Sequence, residues 1–149
     1  MHSSMTETLM SQASSDVRRI WSVEAFERFW SVPGRDIEIV PAVLTEDVVG
    51  HWAGLDQPVR GREEYMRCIR ALHVALPDVC LTVPEHAING EFTFIRWIMH
   101  ATGAKGPFEI GGIDRIRTRD GQLSENVVVF DTAAFEARSG LPVPWVLRH

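Results

Sequence analysis

One aspartate on an otherwise apolar strand face is the strongest chemical signal in this sequence. Side chains alternate between the two faces of a β-strand, so residues 108–118 divide into two sets. Asp114 is the only charged member of the apolar set, which is Phe108, Ile110, Gly112, Asp114, Ile116 and Thr118. A buried carboxyl group has a raised pKa, which suits a general acid or base. The structural alternative is an aspartate satisfied by backbone amides.

Three further polar residues are candidates for the same site. Arg96 and His100 share one face of the predicted strand 92–102, and both could point into a cavity beside Asp114. Arg96 could then hold a carbonyl or carboxylate group. The alternative is that both residues lie on the solvated face. On the last predicted strand, Asn126 could line the pocket as a neutral donor and acceptor, or it could be a surface amide.

A histidine lies at the end of a short predicted strand, 48–52. His51 precedes Trp52 and a glycine-containing loop, and it could act as an acid or a base near neutral pH. The alternative is a surface histidine. The six histidines show no metal-binding spacing, and no phosphate loop or dinucleotide fingerprint is present, so we expect neither a metal nor a cofactor.

Two residue types occur once each and limit the available chemistry. Lys105 lies in a predicted glycine-flanked turn, which is unsuited to a Schiff-base lysine. Tyr65 belongs to the apolar stripe of a predicted helix, and any mechanism with a tyrosine donor must use it.

The elements that must position these residues form an α+β pattern. Apolar spacing predicts a first helix from residue 17, ended by Pro33-Gly34, and Asp131 is typical of a helix N-cap. Helices come first and an antiparallel meander follows, which favours helices on one face of a sheet. Further helices are predicted at 36–44, 62–76 and 133–139, and strands at 48–52, 79–84, 92–102, 108–118 and 123–131.

Length and charge restrict the class of protein. The 149 residues suffice for one domain, and a net charge of −5 argues against nucleic acid or an anionic membrane as partner. We expect a flexible segment 1–16, a domain 17–139 and a tail 140–149 that packs on the sheet or reaches a partner subunit. The sequence shows neither a spanning segment nor a signal peptide, and its two cysteines indicate a cytoplasmic protein with reduced thiols.

Two long runs resemble the SnoaL-like polyketide cyclases of the nuclear transport factor 2-like superfamily. They are EDVVGHWAGLDQPVRGREEYMRCIRALHVALPDV and FIRWIMHATG followed by GGIDRIRTRDGQLSENVVVFD, and the resemblance covers about residues 17–138. It implies a cone-shaped α+β fold, in which three N-terminal helices pack on a curved, mostly antiparallel sheet and enclose one deep apolar pocket. It also implies a homodimer through the outer sheet face.

The resemblance implies roles for individual residues. Asp114 falls on the family's catalytic acid/base in its G-I-D-x-x-R motif, His51 falls on a pocket histidine, and His100 is near a strand-end histidine. The family's closing-strand histidine is replaced here by Asn126. The residues expected to contact substrate are Arg96, Trp52, Asn126, Phe26, Trp30, Phe108 and Ile110. Trp21 and Trp97 could add aromatic surface to the wall of the pocket.

The implied function is a cofactor-free enzyme that acts on an apolar, carbonyl-containing, polyketide-like substrate by aldol-type cyclisation or isomerisation. The alternatives are a non-catalytic ligand-binding or interaction module of the same fold, and an epoxide or ester hydrolase. A limonene-epoxide-hydrolase-like site would need an Arg-x-Asp pair where the sequence has Arg96-Trp97-Ile98. A ketosteroid-isomerase-like site would need a tyrosine on the first helix, whereas Tyr65 lies on the third.

Overall fold

The computed structural model describes residues 19–148 of the chain. The expected flexible segment 1–16 and the expected helix start at residue 17 lie outside the described residues. The helices are α1 (Val23–Trp30), a 3-10 helix (Ile37–Val43), α2 (Arg62–Ala75), α3 (Thr132–Ser139) and α4 (Val143–Arg148). The strands are β1 (Leu44–Trp52), β2 (Val59–Arg60), β3 (Cys80–Asn89), β4 (Phe92–Gly103), β5 (Gly106–Arg119) and β6 (Gln122–Phe130).

The strands form a single curved sheet in the order β2-β1-β6-β5-β4-β3. The β1–β6 pair is parallel, and the other neighbouring strands are antiparallel. The helices cover one face of this sheet, and the sheet does not close into a barrel. The predicted α+β class, with three N-terminal helices on a mostly antiparallel sheet, is confirmed.

Helix boundaries follow from local capping. Ser22 accepts a hydrogen bond from the backbone N–H of Ala25 (3.0 Å), so this side chain caps α1 and the helix begins at Val23. The second predicted helix is a 3-10 helix that contains Pro41, whose missing N–H prevents a regular α-helical ladder. Asp131 caps α3 by accepting from Ala134 (2.9 Å), which confirms the predicted N-cap.

The C-terminal residues contribute to the interior. Val143 and Val146 of α4 are buried, and α4 lies against α2 on the helical side of the fold. Val143 also packs against the loop after β1, where a Cβ atom added to Gly54 would lie 2.7 Å from the Val143 side chain. The segment expected to pack on the sheet or on a partner therefore packs mainly against a helix of the same chain.

Two glycines make room for two tryptophans on the helix-covered face of the sheet. A Cβ atom on Gly112 of β5 would lie within 3.0 Å of the indole ring of Trp97, and one on Gly50 would lie 2.7 Å from Nε1 of Trp52. Trp97 is the cross-strand neighbour of Gly112, whereas Trp52 is two residues from Gly50 on the same strand. Both indoles therefore occupy space that a side chain at these two positions would fill.

We predict that Gly112→Ala destabilises the protein by about 1–3 kcal/mol because the new methyl group displaces the Trp97 indole. The matched control is Gly111→Ala, on the opposite face, where the nearest atom to an added Cβ is 3.8 Å away. This control should change stability by no more than about 0.5 kcal/mol. Urea unfolding followed by circular dichroism measures both, and equal midpoints for the two variants would contradict the packing argument.

Candidate active site

A cavity of about 530 Å³ lies between the helices and the covered face of the sheet. Its wall is mostly apolar and rich in aromatic rings, as expected for a site that takes an organic ligand. The aromatic lining residues include Trp21, Phe26, Trp30, Trp52, Trp97 and Phe130. Among the described lining residues, the buried polar ones are Asp114, Asn126 and Tyr65. The reactive groups of the cavity are therefore concentrated at its sheet side.

Asp114 is held in this cavity with little compensation for its charge. The residue is 6% exposed, and its Oδ1 atom has no hydrogen-bond partner within residues 19–148. Burial raises the pKa of its carboxyl group to about 7, and a hydrogen bond from the Trp97 side chain opposes this rise. Asp114 can thus exist in both protonation states near neutral pH, as an acid or a base requires.

A hydrogen-bonded chain runs beside Asp114. Trp52 Nε1 donates to Asn126 Oδ1 (3.1 Å), and the Asn126 side chain is also bonded to Tyr65. Since an indole only donates, the amide oxygen of Asn126 faces Trp52 and its NH₂ group faces Tyr65. A hydrogen bond from this NH₂ group to the phenol oxygen acts to lower the pKa of Tyr65, against the larger effect of burial, and it would leave the Tyr65 O–H hydrogen for another acceptor.

Tyr65 stays protonated in this setting. Burial raises the pKa of its phenol above the ordinary value, and the nearby Asp114 carboxylate raises it further. The Trp52 ring packs edge-on against the Tyr65 ring, with centroids 4.9 Å apart, and limits where the phenol can lie. The cavity thus combines a titratable carboxyl group with a neutral O–H donor.

The structure brings several predicted site residues together. Asp114, Trp52, Asn126, Phe26, Trp30 and Ile110 all line the cavity, as do Trp21 and Trp97. Phe108 is buried but does not line it, because its ring packs edge-on against Phe135 (centroids 5.9 Å apart).

Arg96 and His100 lie on the opposite face of the sheet, so their expected placement beside Asp114 is wrong. Ile95 is the β4 residue opposite Asp114, so odd-numbered β4 residues face the cavity and even-numbered ones face outward. On that outer face, Arg96 pairs with Glu85 (2.7 Å) and His100 with Glu109 (3.1 Å).

His51 also lies outside the cavity, and its expected pocket position is wrong. It is adjacent to Trp52 on β1, and neighbouring residues of a strand point to opposite faces. Trp52 takes the cavity side, whereas His51 Nε2 lies 3.5 Å from Glu125 on the outer face. Glu125 is also paired with Arg115 there.

Two site residues were missed by the sequence-based selection. Tyr65 reaches the cavity from α2, so its absence from the first helix does not remove a tyrosine donor from the pocket. Its position in the apolar stripe of that helix was the available signal. Arg35, which also lines the cavity, follows the Pro33-Gly34 break and carried no recognisable pattern.

Within residues 19–148, no group of three or more His, Cys, Asp or Glu side chains is close enough together to hold a metal ion. Cys68 is buried and Cys80 is half-buried, and the two do not form a disulfide. In the same part of the chain, no helix is long and apolar enough to cross a membrane.

Comparisons with known proteins agree with this architecture. The family model described as a SnoaL-like domain matches residues 23–126. A hypothetical protein with a ketosteroid isomerase-like fold from Catenulispora acidiphila DSM 44928, in complex with trimethylamine, has a TM-score of 0.70 and 20% identity. That match covers 83% of this chain and 95% of the other. A search of curated proteins finds no match.

Two further solved structures are assigned as polyketide cyclases. The SnoaL-like protein from Jannaschia sp. CCS1 has a TM-score of 0.65 and 16% identity, covering 72% of this chain and 82% of that chain. IdmH from Streptomyces antibioticus has a TM-score of 0.62 and 24% identity, covering 71% of this chain and 88% of that chain. At these identities the likeness establishes a shared fold.

The raised pKa of Asp114 predicts a pH-dependent stability. The unfolded carboxyl group ionises near 3.8 and the folded one near 7, so the folded state binds more protons between these values and stability falls as pH rises. We predict that Asp114→Asn stabilises the protein by up to about 4 kcal/mol at about pH 8, with no comparable gain at about pH 4.

Urea unfolding at both pH values measures this difference. The control is Asp56→Asn, which removes the same charge from an exposed position and should give no comparable stabilisation at about pH 8. A gain from Asp114→Asn that is equal at both pH values would show that the carboxyl group is not the titrating group.

Proposed function

The chain belongs to the SnoaL-like domain family, and we propose that it is an enzyme that moves a proton at a carbon atom next to a carbonyl group. The single observation that carries this proposal is the buried Asp114 carboxyl group, which lies in an apolar cavity beside Tyr65 and whose Oδ1 has no hydrogen-bond partner in the described part of the chain. Fold similarity to polyketide cyclases supports a cyclase- or isomerase-like role in general, and the side-chain arrangement supplies the chemistry.

The first step uses Asp114 as the base. The ionised carboxylate removes a proton from the carbon next to the carbonyl, and the electron pair of the broken C–H bond moves onto the carbonyl oxygen. The Tyr65 O–H donates a hydrogen bond to this developing oxyanion, while Asn126 holds the phenol in place. A neutral donor in a dry cavity stabilises negative charge more strongly than water would.

The second step returns the proton. In an isomerisation, protonated Asp114 gives it back at a different carbon of the enolate. In an aldol-type cyclisation, the enolate carbon forms a bond with a second carbonyl carbon of the same molecule, and the resulting alkoxide takes the proton from Asp114. Either sequence conserves protons and electrons, and neither requires a cofactor. We propose an apolar, carbonyl-rich, polyketide-like substrate because the cavity wall is mostly aromatic and aliphatic.

We predict that the protein accelerates hydrogen–deuterium exchange at the acidic carbon next to the carbonyl group of 2-tetralone, a small aromatic ketone. Asp114→Asn should lower the protein-catalysed rate by a factor on the order of 10²–10⁴ because the base is lost. Tyr65→Phe should lower it by a factor on the order of 10² because the oxyanion donor is lost. Proton NMR in heavy water measures the rates directly.

The matched control is Glu109→Gln, which removes a carboxylate from the outer face of the same strand and should leave the rate unchanged. The wild-type rate should rise with pH and level off above about pH 7, since only ionised Asp114 accepts the proton. If 2-tetralone binds but exchanges no faster than in buffer, the protein is a binding module. A full rate in Asp114→Asn would assign the proton transfer to another group.

A further inference from the structure

The opening of the cavity carries positive charge although the chain as a whole has a net charge of −5. Among residues 19–148, the exposed residues of the cavity lining come from one stretch of the chain, and they are Arg19, Ile20, Arg28, Asp36 and Ile39. Half-buried Arg35 lines the cavity next to them. We call Arg19, Arg28 and Arg35 the rim arginines.

Arg35 is held in a fixed position by backbone carbonyl groups. Its Nε donates to the carbonyl oxygen of Phe29 (2.5 Å), and its Nη2 donates to those of Trp30 (3.1 Å) and Val79 (2.7 Å). The guanidinium also lies over the rings of Phe29 and Trp30, at 5.4 and 5.3 Å from their centroids. All these partners are neutral, so they fix the cation without cancelling its charge.

The fourth partner of Arg35 is a neutral histidine. Arg35 Nη1 lies 2.8 Å from His73 Nε2, and His73 Nδ1 lies 2.8 Å from the carbonyl oxygen of Ile69. A carbonyl oxygen can only accept, so Nδ1 carries the ring hydrogen and Nε2 accepts from Arg35. These contacts use four of the five guanidinium N–H groups, and among the described residues no partner takes the second N–H of Nη1, which is left for a ligand.

Within residues 19–148, none of the rim arginines forms an ion pair with a carboxylate. Asp36 is adjacent to Arg35 in sequence, but its carboxylate accepts from the backbone N–H of Glu38 (3.1 Å). A half-buried cation beside apolar wall is costly unless an anion accompanies it. The rim therefore has a fixed positive charge and an unused donor at the entrance of an apolar cavity.

We propose that the ligand of this cavity is an amphipathic organic anion, whose apolar body enters the cavity and whose anionic group lies against the rim arginines. This proposal rests on the proposed function, because it takes the cavity to be the substrate site. The anionic end stays at the rim and the apolar end extends towards Asp114, so the rim determines which end of the molecule reaches the base. Arg35 is the anchoring residue, and Arg28 and Arg19 add to the local field.

The test compares two fluorescent probes that differ in one group. 8-Anilinonaphthalene-1-sulfonate carries an anion, and N-phenyl-1-naphthylamine has the same rings without it. We expect wild-type protein to bind the sulfonate at least about 10-fold more tightly at low ionic strength, and added salt to shrink this preference. Arg28→Gln and Arg19→Gln should each weaken sulfonate binding about 3- to 10-fold and leave the neutral probe unaffected.

The matched control is Arg60→Gln, since Arg60 is exposed on β2 and does not line the cavity. It should change neither affinity. These variants alter exposed side chains, so the test does not depend on Arg35, whose removal could unfold the protein. Equal affinities of wild type for the two probes, or rim variants that bind the sulfonate as tightly as wild type, would overturn the inference.

This test separates the two proposals. Neither probe requires a proton transfer, so a preference for the sulfonate that persists in Asp114→Asn supports the anion site whatever the exchange experiment shows. Conversely, Asp114-dependent exchange on 2-tetralone together with equal probe affinities would retain the proposed enzyme and remove the anion site.

Discussion

The burial of Asp114 in an apolar cavity is the constraint on which the rest of the site depends. A carboxylate in such a place loses its hydration, and within residues 19–148 only the Trp97 side chain compensates it. One indole N–H is too little to keep the group ionised at its usual pKa, so its pKa rises to about 7. Additional donors would stabilise the fold and lower the pKa, and the carboxyl group would then be a weaker base. The incomplete solvation of Asp114 is therefore what makes it chemically useful.

The two tryptophan–glycine pairs explain how such a site is built on a sheet. The Trp97 indole occupies the space that a side chain at Gly112 would fill, and its N–H hydrogen-bonds to Asp114. Trp52 uses Gly50 in the same way, and its N–H orients Asn126 and through it Tyr65. Large rings thus form the cavity wall and also direct the few polar groups. The glycines of this face are consequently part of the site although they bear no functional group.

The sequence predicted the fold class and the position of Asp114 because both depend on local patterns. Alternation within one strand is sufficient to place Asp114 on the apolar face, and it needs no knowledge of neighbouring strands. The placement of Arg96 and His100 failed because it depends on register between strands. The short connection between Gly103 and Gly106 puts Ile95 opposite Asp114 and so turns the even-numbered residues of β4 outward. Both faces of β4 carry polar as well as apolar side chains, so the sequence of this strand does not show which face is buried.

Site residues outside the sheet, Tyr65 on α2 and Arg35 in the loop after α1, are harder to predict for a different reason. Tyr65 and Arg35 act through tertiary contacts: Tyr65 through Asn126 on a distant strand, and Arg35 through carbonyl groups of Phe29, Trp30 and Val79. No spacing in the sequence encodes such contacts. The Tyr65 phenol and the Arg35 guanidinium nevertheless share one feature, which is that neutral partners hold them in place. For Arg35, this leaves one N–H available to a ligand. Asp114 is buried in the cavity, whereas Arg19 and Arg28 are exposed at its rim. In the proposed mode of binding, an anionic group held at the rim would not have to approach the ionised carboxylate that is proposed to take the proton.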